Sequence, residues 1–250
     1  MPRSEYGPST YGDRIAEVYD RIDALPSDEA EAAEFLASLA GSGPALELGI
    51  GTGRVAIPLA QRGVEVHGID ASEAMVAKLR EKPGGREIPV NMGDFAEVQA
   101  PGGPYRLIFV VFNTFFALLT QEDQVRCFAG VAARLDTAGV FVIQAFVPDM
   151  TLFDRGSRVV VTDVDVDTAK LDLARLNPAA QEVTSQHVVL EAGQVMTYPV
   201  KLRYAWPSEL DLMARLARLR LRERWSGWDR RPFGPSSGQH ISVYEKPAAS

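Results

Sequence analysis

Three alternating glycines in the first quarter of the chain constrain its fold more than any other feature. An apolar segment, Ala45–Leu48, runs directly into Gly49, Gly51 and Gly53. Glycines at such a junction let the backbone turn tightly and approach a ligand, and a helix that begins there offers free N–H groups to an anion. The segment therefore predicts a buried strand, a ligand-binding loop and a helix, which together open a parallel α/β sheet.

Apolar runs alternate with amphipathic stretches through residues 44–146, as in a parallel sheet covered by helices. We expect strands at 45–48, 64–69, 88–91, 107–112 and 140–146, and helices at 28–39, 54–61, 73–81 and 122–135. Ser27 and Ser72 stand where N-caps belong, and Gly63 and Gly139 stand where helices should end.

The character of the sequence changes after Pro148. Alternation rich in valine and threonine marks residues 158–166, 182–190 and 196–204, with Gly193 at a turn. No helical crossover separates these runs, so they are expected to pair as antiparallel hairpins. A helix at about 207–216 and strands at 219–225 and 240–244 complete the chain.

Composition limits the partners and the chemistry. Acids outnumber bases 33 to 26, for a formal charge of −7, which disfavours nucleic acid as a partner. The longest apolar stretch, 107–119, is too short for a bilayer and contains Asn113 and Thr114, and the N-terminus has no apolar leader, so no membrane association is expected. Cys127 is the one cysteine, and no ligand spacing suggests a metal site. A cytoplasmic enzyme without a metal is expected.

The glycine pattern leaves two classes of cofactor open. Gly51, Gly53 and Ala56 also satisfy the dinucleotide fingerprint G-x-G-x-x-G/A, so an NAD- or FAD-dependent oxidoreductase is an alternative. Against it stand three carboxylates. Glu47 lies inside the first predicted strand, two residues before the first glycine, and Asp70 and Asp94 lie at the ends of the second and third. Three carboxylates suit a cofactor with an ammonium and a sulfonium and suit a pyrophosphate poorly.

Residues 44–146 resemble the class I S-adenosylmethionine-dependent methyltransferases. Their glycine-rich loop reads E/D-x-G-x-G-x-G, which residues 47–53 match. The resemblance implies that this loop holds the methionine part of the cofactor, that the acid ending the second strand holds the ribose, and that the acid after the third strand accepts the adenine amino group. The implied cofactor-binding residues are Glu47, Gly49, Gly51, Gly53, Asp70, Asp94, Phe95, Phe112 and Asn113, the last two at the methyl-transfer site.

The N-terminus resembles a second feature of small-molecule methyltransferases. These often open with an A/E-x-Y-D step whose tyrosine closes over the cofactor, which makes Tyr11 and Tyr19 lid candidates. Two aromatics that pack an N-terminal helix are the alternative.

The fold we predict is α/β, a Rossmann-like, doubly wound, mostly parallel seven-stranded sheet with an inserted antiparallel β subdomain. We expect four segments: an N-terminal helical cap at 1–43, the S-adenosylmethionine-binding core at 44–148, the β insertion at 149–206, and the last helix with the final two core strands at 207–250.

The late loop and one aromatic supply candidates for the acceptor site. Phe116 follows a strand end and could form an apolar wall, and the loop near residues 226–238 carries further substrate candidates, which are Trp228, Arg230, Arg231 and Phe233. A solvated surface loop is the alternative. Among the histidines, His240 is the candidate proton acceptor, while His67 and His187 are interpreted as a structural and an exposed strand residue.

These features predict transfer of a methyl group from S-adenosylmethionine to a nitrogen or oxygen of a small molecule. Nitrogen is favoured because an amine needs only to arrive unprotonated, whereas a hydroxyl usually needs a base. The hairpins resemble those of N-methyltransferases from antibiotic deoxyaminosugar pathways, which implies an amino sugar acceptor. A non-catalytic cofactor-binding module stays open beside the oxidoreductase. A homodimer through the β insertion is also expected.

Overall fold

The computed structural model describes residues 6–21, 28–100 and 102–247. The predicted N-cap Ser27 lies outside them. The helices are α1 Thr10–Ile15, α2 Glu29–Ala40, α3 Ala56–Gln61, α4 Glu73–Glu81, α5 Gln121–Arg134 and α6 Pro207–Leu216. The strands are β1 Ala45–Leu48, β2 Val66–Asp70, β3 Val90–Met92, β4 Tyr105–Val110, β5 Leu135–Phe146, β6 Ser157–Val164, β7 Thr168–Asn177, β8 Glu182–Glu191, β9 Gln194–Arg203, β10 Arg220–Trp225 and β11 Gln239–Glu245.

Seven strands form one sheet, sheet A, in the order β10-β11-β5-β4-β1-β2-β3. Only β11 runs against its neighbours β5 and β10. Leu46 of β1 lies between His67 of β2 and Ile108 of β4, so the strand order reverses beside β1. In open α/β sheets ligands bind in the crevice at such a reversal, outside the carboxyl ends of the strands.

Helices cover both faces of sheet A, because alternate residues of its buried strands point to opposite sides. On one face Phe128 of α5 packs edge-on against Phe141 and Tyr244, with ring centroids 5.3 and 5.6 Å apart. On the other face Phe35 of α2 packs against Trp228 at 5.5 Å. In the part of the chain that the structure describes, no helix has the length and apolar character needed to cross a bilayer.

The insertion between β5 and α6 forms a second sheet, sheet B, in the antiparallel order β6-β7-β8-β9. Its inner face packs on the body of the molecule through Leu176, Val183 and Leu202. Its outer face carries exposed valines, including Val159 and Val161. The predicted fold class, a mostly parallel seven-stranded sheet with an inserted antiparallel subdomain, is confirmed.

Two local predictions are corrected. The strand β7 was not among the predicted runs, because it lacks the valine and threonine enrichment that marked them, although its leucines alternate with polar residues. Gly139 does not end a helix, since α5 ends at Arg134 and β5 begins at the next residue. Gly139 instead allows close strand packing, as a Cβ there would lie 2.6 Å from the carbonyl oxygen of Tyr105.

Candidate functional site

A cavity of about 250 Å³ opens at the carboxyl ends of β1, β2 and β4. Its walls come from the glycine loop after β1, the ends of β2 and β4, the segment after β3 and the N-terminal segment 6–21, here called the roof. The predicted cofactor residues that line it are Tyr11, Tyr19, Glu47, Gly49, Gly51, Asp70, Asp94, Phe95 and Phe112. The structure thus brings most of the predicted cofactor set into one cavity.

The three loop glycines share a left-handed backbone but differ in their surroundings. Their φ angles are +73° at Gly49, +55° at Gly51 and +76° at Gly53. A Cβ at Gly49 would lie 2.5 Å from Thr114 Cγ2, and one at Gly53 would lie 2.4 Å from Leu79 Cδ1. At Gly51 the nearest atom would be Met75 Cε at 3.4 Å. Gly51 therefore borders free space, whereas Gly53 is required for packing and does not line the cavity.

Glu47 is a buried carboxylate in the cavity wall, with 3% of its surface exposed. Its Oε2 has no hydrogen-bond partner among the residues that the structure describes. Burial raises the pKa of Glu47 well above its usual value, and repulsion from Asp70 raises it further. A buried carboxylate oxygen without a partner is costly, so this position suits a ligand that brings a donor or a positive charge.

Asp70, at the end of β2, orders the glycine loop. Its Oδ2 accepts the backbone N–H of Gly51 at 2.7 Å, and its Oδ1 accepts that of Ser72 at 2.8 Å. Burial raises the pKa of Asp70, and these two N–H groups partly offset the rise. The carboxylate therefore joins the loop to the start of α4 at the centre of the cavity.

The segments after β3 and β4 form the far wall. Asp94 accepts the N–H of Ala96 at 2.9 Å, which fixes the turn that places Phe95 in the wall. Phe112 has a φ of +54°, and its N–H donates to the side chain of Gln144. Asn113 does not line the cavity, because its Oδ1 accepts the N–H of Phe146 at 2.7 Å.

Tyrosines of the roof close the cavity. The rings of Tyr11 and Tyr19 meet edge-on with centroids 6.4 Å apart. Burial raises the pKa of both hydroxyls, so both stay neutral at physiological pH. Tyr6, which sequence reasoning missed, lines the same cavity and accepts the backbone N–H of Lys201 in β9 at 3.2 Å.

Polar contacts fasten the roof to the body. Ser72 donates its hydroxyl to Asp13 at 2.7 Å. Asp20 accepts the hydroxyl of Thr52 at 2.7 Å and pairs with Lys82 at 2.7 Å. The roof is thereby held to the glycine loop and to both ends of α4.

Arg54 is the second residue that sequence reasoning missed. Among the described residues lining the cavity it is the one cationic side chain. Its guanidinium pairs with Glu29 at 2.6 Å and lies 4.5 Å from the ring centroid of Phe112 and 5.8 Å from that of Tyr19. Its position directly after the third glycine was the available signal.

The late loop packs away from the cavity. Trp228 is buried, and its Nε1 donates to Asp28 at 2.8 Å. Arg230 lies over the ring of Phe35 at 4.9 Å, and Arg231 pairs with Asp229 at 2.8 Å. Phe233 lies against Arg224, 5.7 Å away. None of the four predicted substrate residues of this loop lines the cavity, and their contacts are with α2 and its N-cap, with the loop itself and with β10 and β11.

The other two acceptor-site predictions also lie in packed interior. Phe116 is fully buried, 4.9 Å from the ring of Phe146, and is part of the core. His240 is fully buried, and its Nδ1 lies 2.9 Å from the hydroxyl of Ser242. Burial and the charge of Arg224 lower the pKa of His240 to about 3. His240 therefore has neither access to a substrate nor the basicity of a proton acceptor.

Comparisons with known proteins agree with this geometry. A family described as "Methyltransferase domain" matches residues 45–139. The cypemycin N-terminal methyltransferase of a Streptomyces species is 26% identical over 245 residues, which cover 96% of this chain and 98% of the relative. The solved structure of the CcbJ methyltransferase from Streptomyces caelestis is 41% identical, with a TM-score of 0.92 over 97% of this chain and 100% of that one.

A more distant solved structure has the same fold. It is an amino pentose methyltransferase from Micromonospora echinaspora, involved in calicheamicin biosynthesis and solved with S-adenosylmethionine bound. It is 18% identical, with a TM-score of 0.72 over 99% of this chain and 100% of that one. The likeness extends through sheet B as well as sheet A.

Proposed function

The chain belongs to the class I S-adenosylmethionine-dependent methyltransferases, and from that premise we propose that it methylates an amine nitrogen of a small molecule. The observation that carries this proposal is the cavity itself. It combines several carboxylates, one guanidinium and three tyrosine rings at the point where the strand order of sheet A reverses.

The residues present fit S-adenosylmethionine as the cofactor. Its amino acid part carries an ammonium and a carboxylate, and the wall offers the unpartnered Oε2 of Glu47 for the first and the guanidinium of Arg54 for the second. Asp70 would accept ribose hydroxyls, and Asp94 with Phe95 would flank the adenine. When bound, this cofactor supplies an electrophilic methyl group on a sulfonium.

The roof and the far wall have complementary roles in this proposal. Tyr11 and Tyr19 exclude water from the reacting groups and place electron-rich rings where a positive charge is held. Phe112 borders the methyl-transfer side of the cavity. Gly53 and Asn113 would act indirectly, since Gly53 allows α4 to approach the loop and Asn113 fixes the end of β4 against Phe146.

An amine is the acceptor class that the site supports best. Among the described residues lining the cavity there is neither histidine nor lysine, so the wall offers no ready base for a hydroxyl acceptor. Two relatives are named for amine chemistry, the N-terminal methyltransferase of cypemycin and the amino pentose methyltransferase. A free amine needs only to lose its ammonium proton before it attacks.

Two measurements test the proposal. Calorimetric titration should show S-adenosylhomocysteine binding at micromolar affinity or tighter and no binding of NAD. Release of S-adenosylhomocysteine should then follow addition of an amine probe, either the methyl glycoside of an amino sugar or a pentapeptide with a free N-terminus. The matched controls are the corresponding hydroxy sugar and the N-acetylated peptide. Binding of NAD without S-adenosylhomocysteine would mark an oxidoreductase, and cofactor binding without turnover would mark a non-catalytic module.

We further propose that a second copy of the chain covers the outer face of sheet B. Its exposed valines include Val159, Val161 and Val195, with 67%, 58% and 66% of their surfaces exposed. β6 has eight residues, and β7, β8 and β9 have ten each. At about 3.3 Å per residue and about 4.8 Å between strands, this face measures about 600 Å² per copy, or about 1,200 Å² for a pair. That area reaches the lower limit of a stable interface, and a second copy would remove the exposed valines from water.

A further inference from the structure

We propose that the inner face of sheet B forms the acceptor-side wall of the site, and that His187, held by Asp172, takes the proton that an amine acceptor must lose. This inference rests on the proposed function and deepens it. It also accounts for the absence of a base among the described residues that line the cavity.

The strand register places the pair on the correct face. Asp172 of β7, His187 of β8 and Tyr198 of β9 lie opposite one another in neighbouring strands and share the inner face. Tyr198 packs against the cluster formed by Ile15 of the roof and Met75 of α4. Met75 is itself part of the cavity wall, so His187 lies one strand beyond a residue that adjoins the site.

The pair is open to a ligand, although its neighbours on the inner face are packed. The side chains of His187 and Asp172 retain 41% and 38% exposure. Leu176 and Val183, on the same face of the same two strands, pack on the core. Sheet B therefore meets the body through these apolar residues and through Tyr198, while the polar pair keeps an exposed surface that an acceptor can approach.

The hydrogen bond within the pair determines what His187 can do. Nδ1 of His187 bonds to the carboxylate of Asp172. With Asp172 ionised, Nδ1 carries the proton and Nε2 is left as the acceptor. A cross-strand pair of opposite charges stabilises a sheet by only about 0.2–1 kcal/mol. Stabilisation of sheet B therefore explains little of why His187 and Asp172 are paired.

The proton balance is simple. The ammonium form of the acceptor gives one proton to Nε2 of His187, which becomes an imidazolium paired with Asp172. The freed lone pair on nitrogen forms the new N–C bond, while the C–S bond of the donor breaks and leaves its electron pair on sulfur. The imidazolium then returns its proton to solvent, to which the pair is open.

Other charged groups lie on the elements around the His187–Asp172 pair. On the inner face of sheet B, Lys170 pairs with Asp163 at 3.3 Å, and Arg158 lies opposite Ala174. The hydroxyl of Tyr198 points to the sulfur of Met196, 3.7 Å away. The helix α1, which packs against β9, contributes Asp13 and Arg14, and the turn after it contributes Glu17. Asp13 bonds to Ser72, and Glu17 pairs with Lys78. Asp172 is the carboxylate that bonds the imidazole.

The test compares His187→Gln and Asp172→Asn with the wild type, using whichever amine probe releases S-adenosylhomocysteine. At about pH 7, His187→Gln should lower kcat/KM by about 100-fold, and it should recover above the pKa of the amine, where no base is needed. Its affinity for S-adenosylhomocysteine should not change. Asp172→Asn should also lower kcat/KM at about pH 7 and leave the affinity for S-adenosylhomocysteine unchanged, because the imidazole loses the carboxylate that orients it.

Glu182→Gln is the matched control, because Glu182 pairs with Lys201 at 3.2 Å on the outer face of the same sheet. Its profile should match that of the wild type. If the wild type is active and His187→Gln behaves like Glu182→Gln at every pH, the assignment of His187 as proton acceptor is wrong, while the proposed function stands. A wild type that binds S-adenosylhomocysteine but turns over neither amine overturns the proposed function, and the assignment with it. Should His187→Gln lose cofactor binding, Asp172→Asn decides, because it keeps the imidazole and should still lower kcat/KM.

Discussion

The carboxylates of the cavity show how much of this site can be predicted from the identity of its residues. The positions of Glu47 inside the first strand and of Asp70 and Asp94 at the ends of the next two were predicted, and all three line the cavity. Two further facts needed coordinates. Asp70 holds the glycine loop through Gly51 as well as facing the cavity, and Glu47 has an oxygen that no described residue satisfies. Hydrogen-bond geometry between segments is not encoded in spacing.

The unpartnered carboxylate leads to a stability prediction. Burial raises the pKa of Glu47, so the native state binds its proton more tightly than the unfolded chain does. The stability that this proton confers is present below the unfolded pKa and is lost as pH rises through the native pKa. Glu47→Gln should therefore raise the Tm of the ligand-free protein at about pH 8, by about 2–4 °C for each 1 kcal/mol gained.

The same variant should lose affinity for S-adenosylhomocysteine, since the amide cannot pair with the ammonium. Thermal melts at low and high pH, with and without this ligand, measure both effects. Glu87→Gln, on an exposed residue between α4 and β3, is the control and should change neither. A Glu47→Gln variant with lowered Tm and unchanged ligand affinity would contradict this account of the carboxylate.

At the scale of elements, local patterns predicted most of the fold. Strand β1 and helix α4 lie at their predicted positions, and Ser72 caps α4 by accepting the N–H of Met75 at 3.2 Å. The late loop was interpreted as a cover for the acceptor because it follows a strand parallel to β5. Its actual partner, α2, is nearly two hundred residues away in sequence, and no local signal reports such a contact.

The glycine loop can be tested as an element by comparing two of its glycines. Gly51→Ala and Gly53→Ala both place a side chain at a positive φ, which costs about 1–2 kcal/mol. Only the second also forces a Cβ against Leu79, which should cost a further 1–3 kcal/mol, roughly. Gly53→Ala should therefore have the lower Tm of the two variants. Gly51→Ala should lose more affinity for S-adenosylhomocysteine than its smaller loss of stability would explain. Equal losses in both properties would show that the two glycines have one role.

For the whole molecule, the outer face of sheet B predicts a dimer. Val161→Lys would place a charge among the exposed valines of this face and should shift the protein from dimer to monomer in light scattering after size exclusion. Leu216→Lys, on a residue of α6 with 71% exposure, is the control and should leave the mass unchanged. A wild type that is monomeric at all concentrations would show that a second copy does not cover this face.

The roof has a consequence for the sequence of catalytic events. Its tyrosines close the cofactor cavity, while the inner face of sheet B lies to the side, and Tyr6 bonds to Lys201 of β9. We therefore expect a donor molecule to enter before the roof contacts of Asp13 and Asp20 form, and the spent donor to leave after they break. Steady-state turnover should follow a compulsory order, in which the donor binds first and its thioether product dissociates last. Accumulated thioether should then compete with the donor and inhibit the enzyme at every concentration of acceptor.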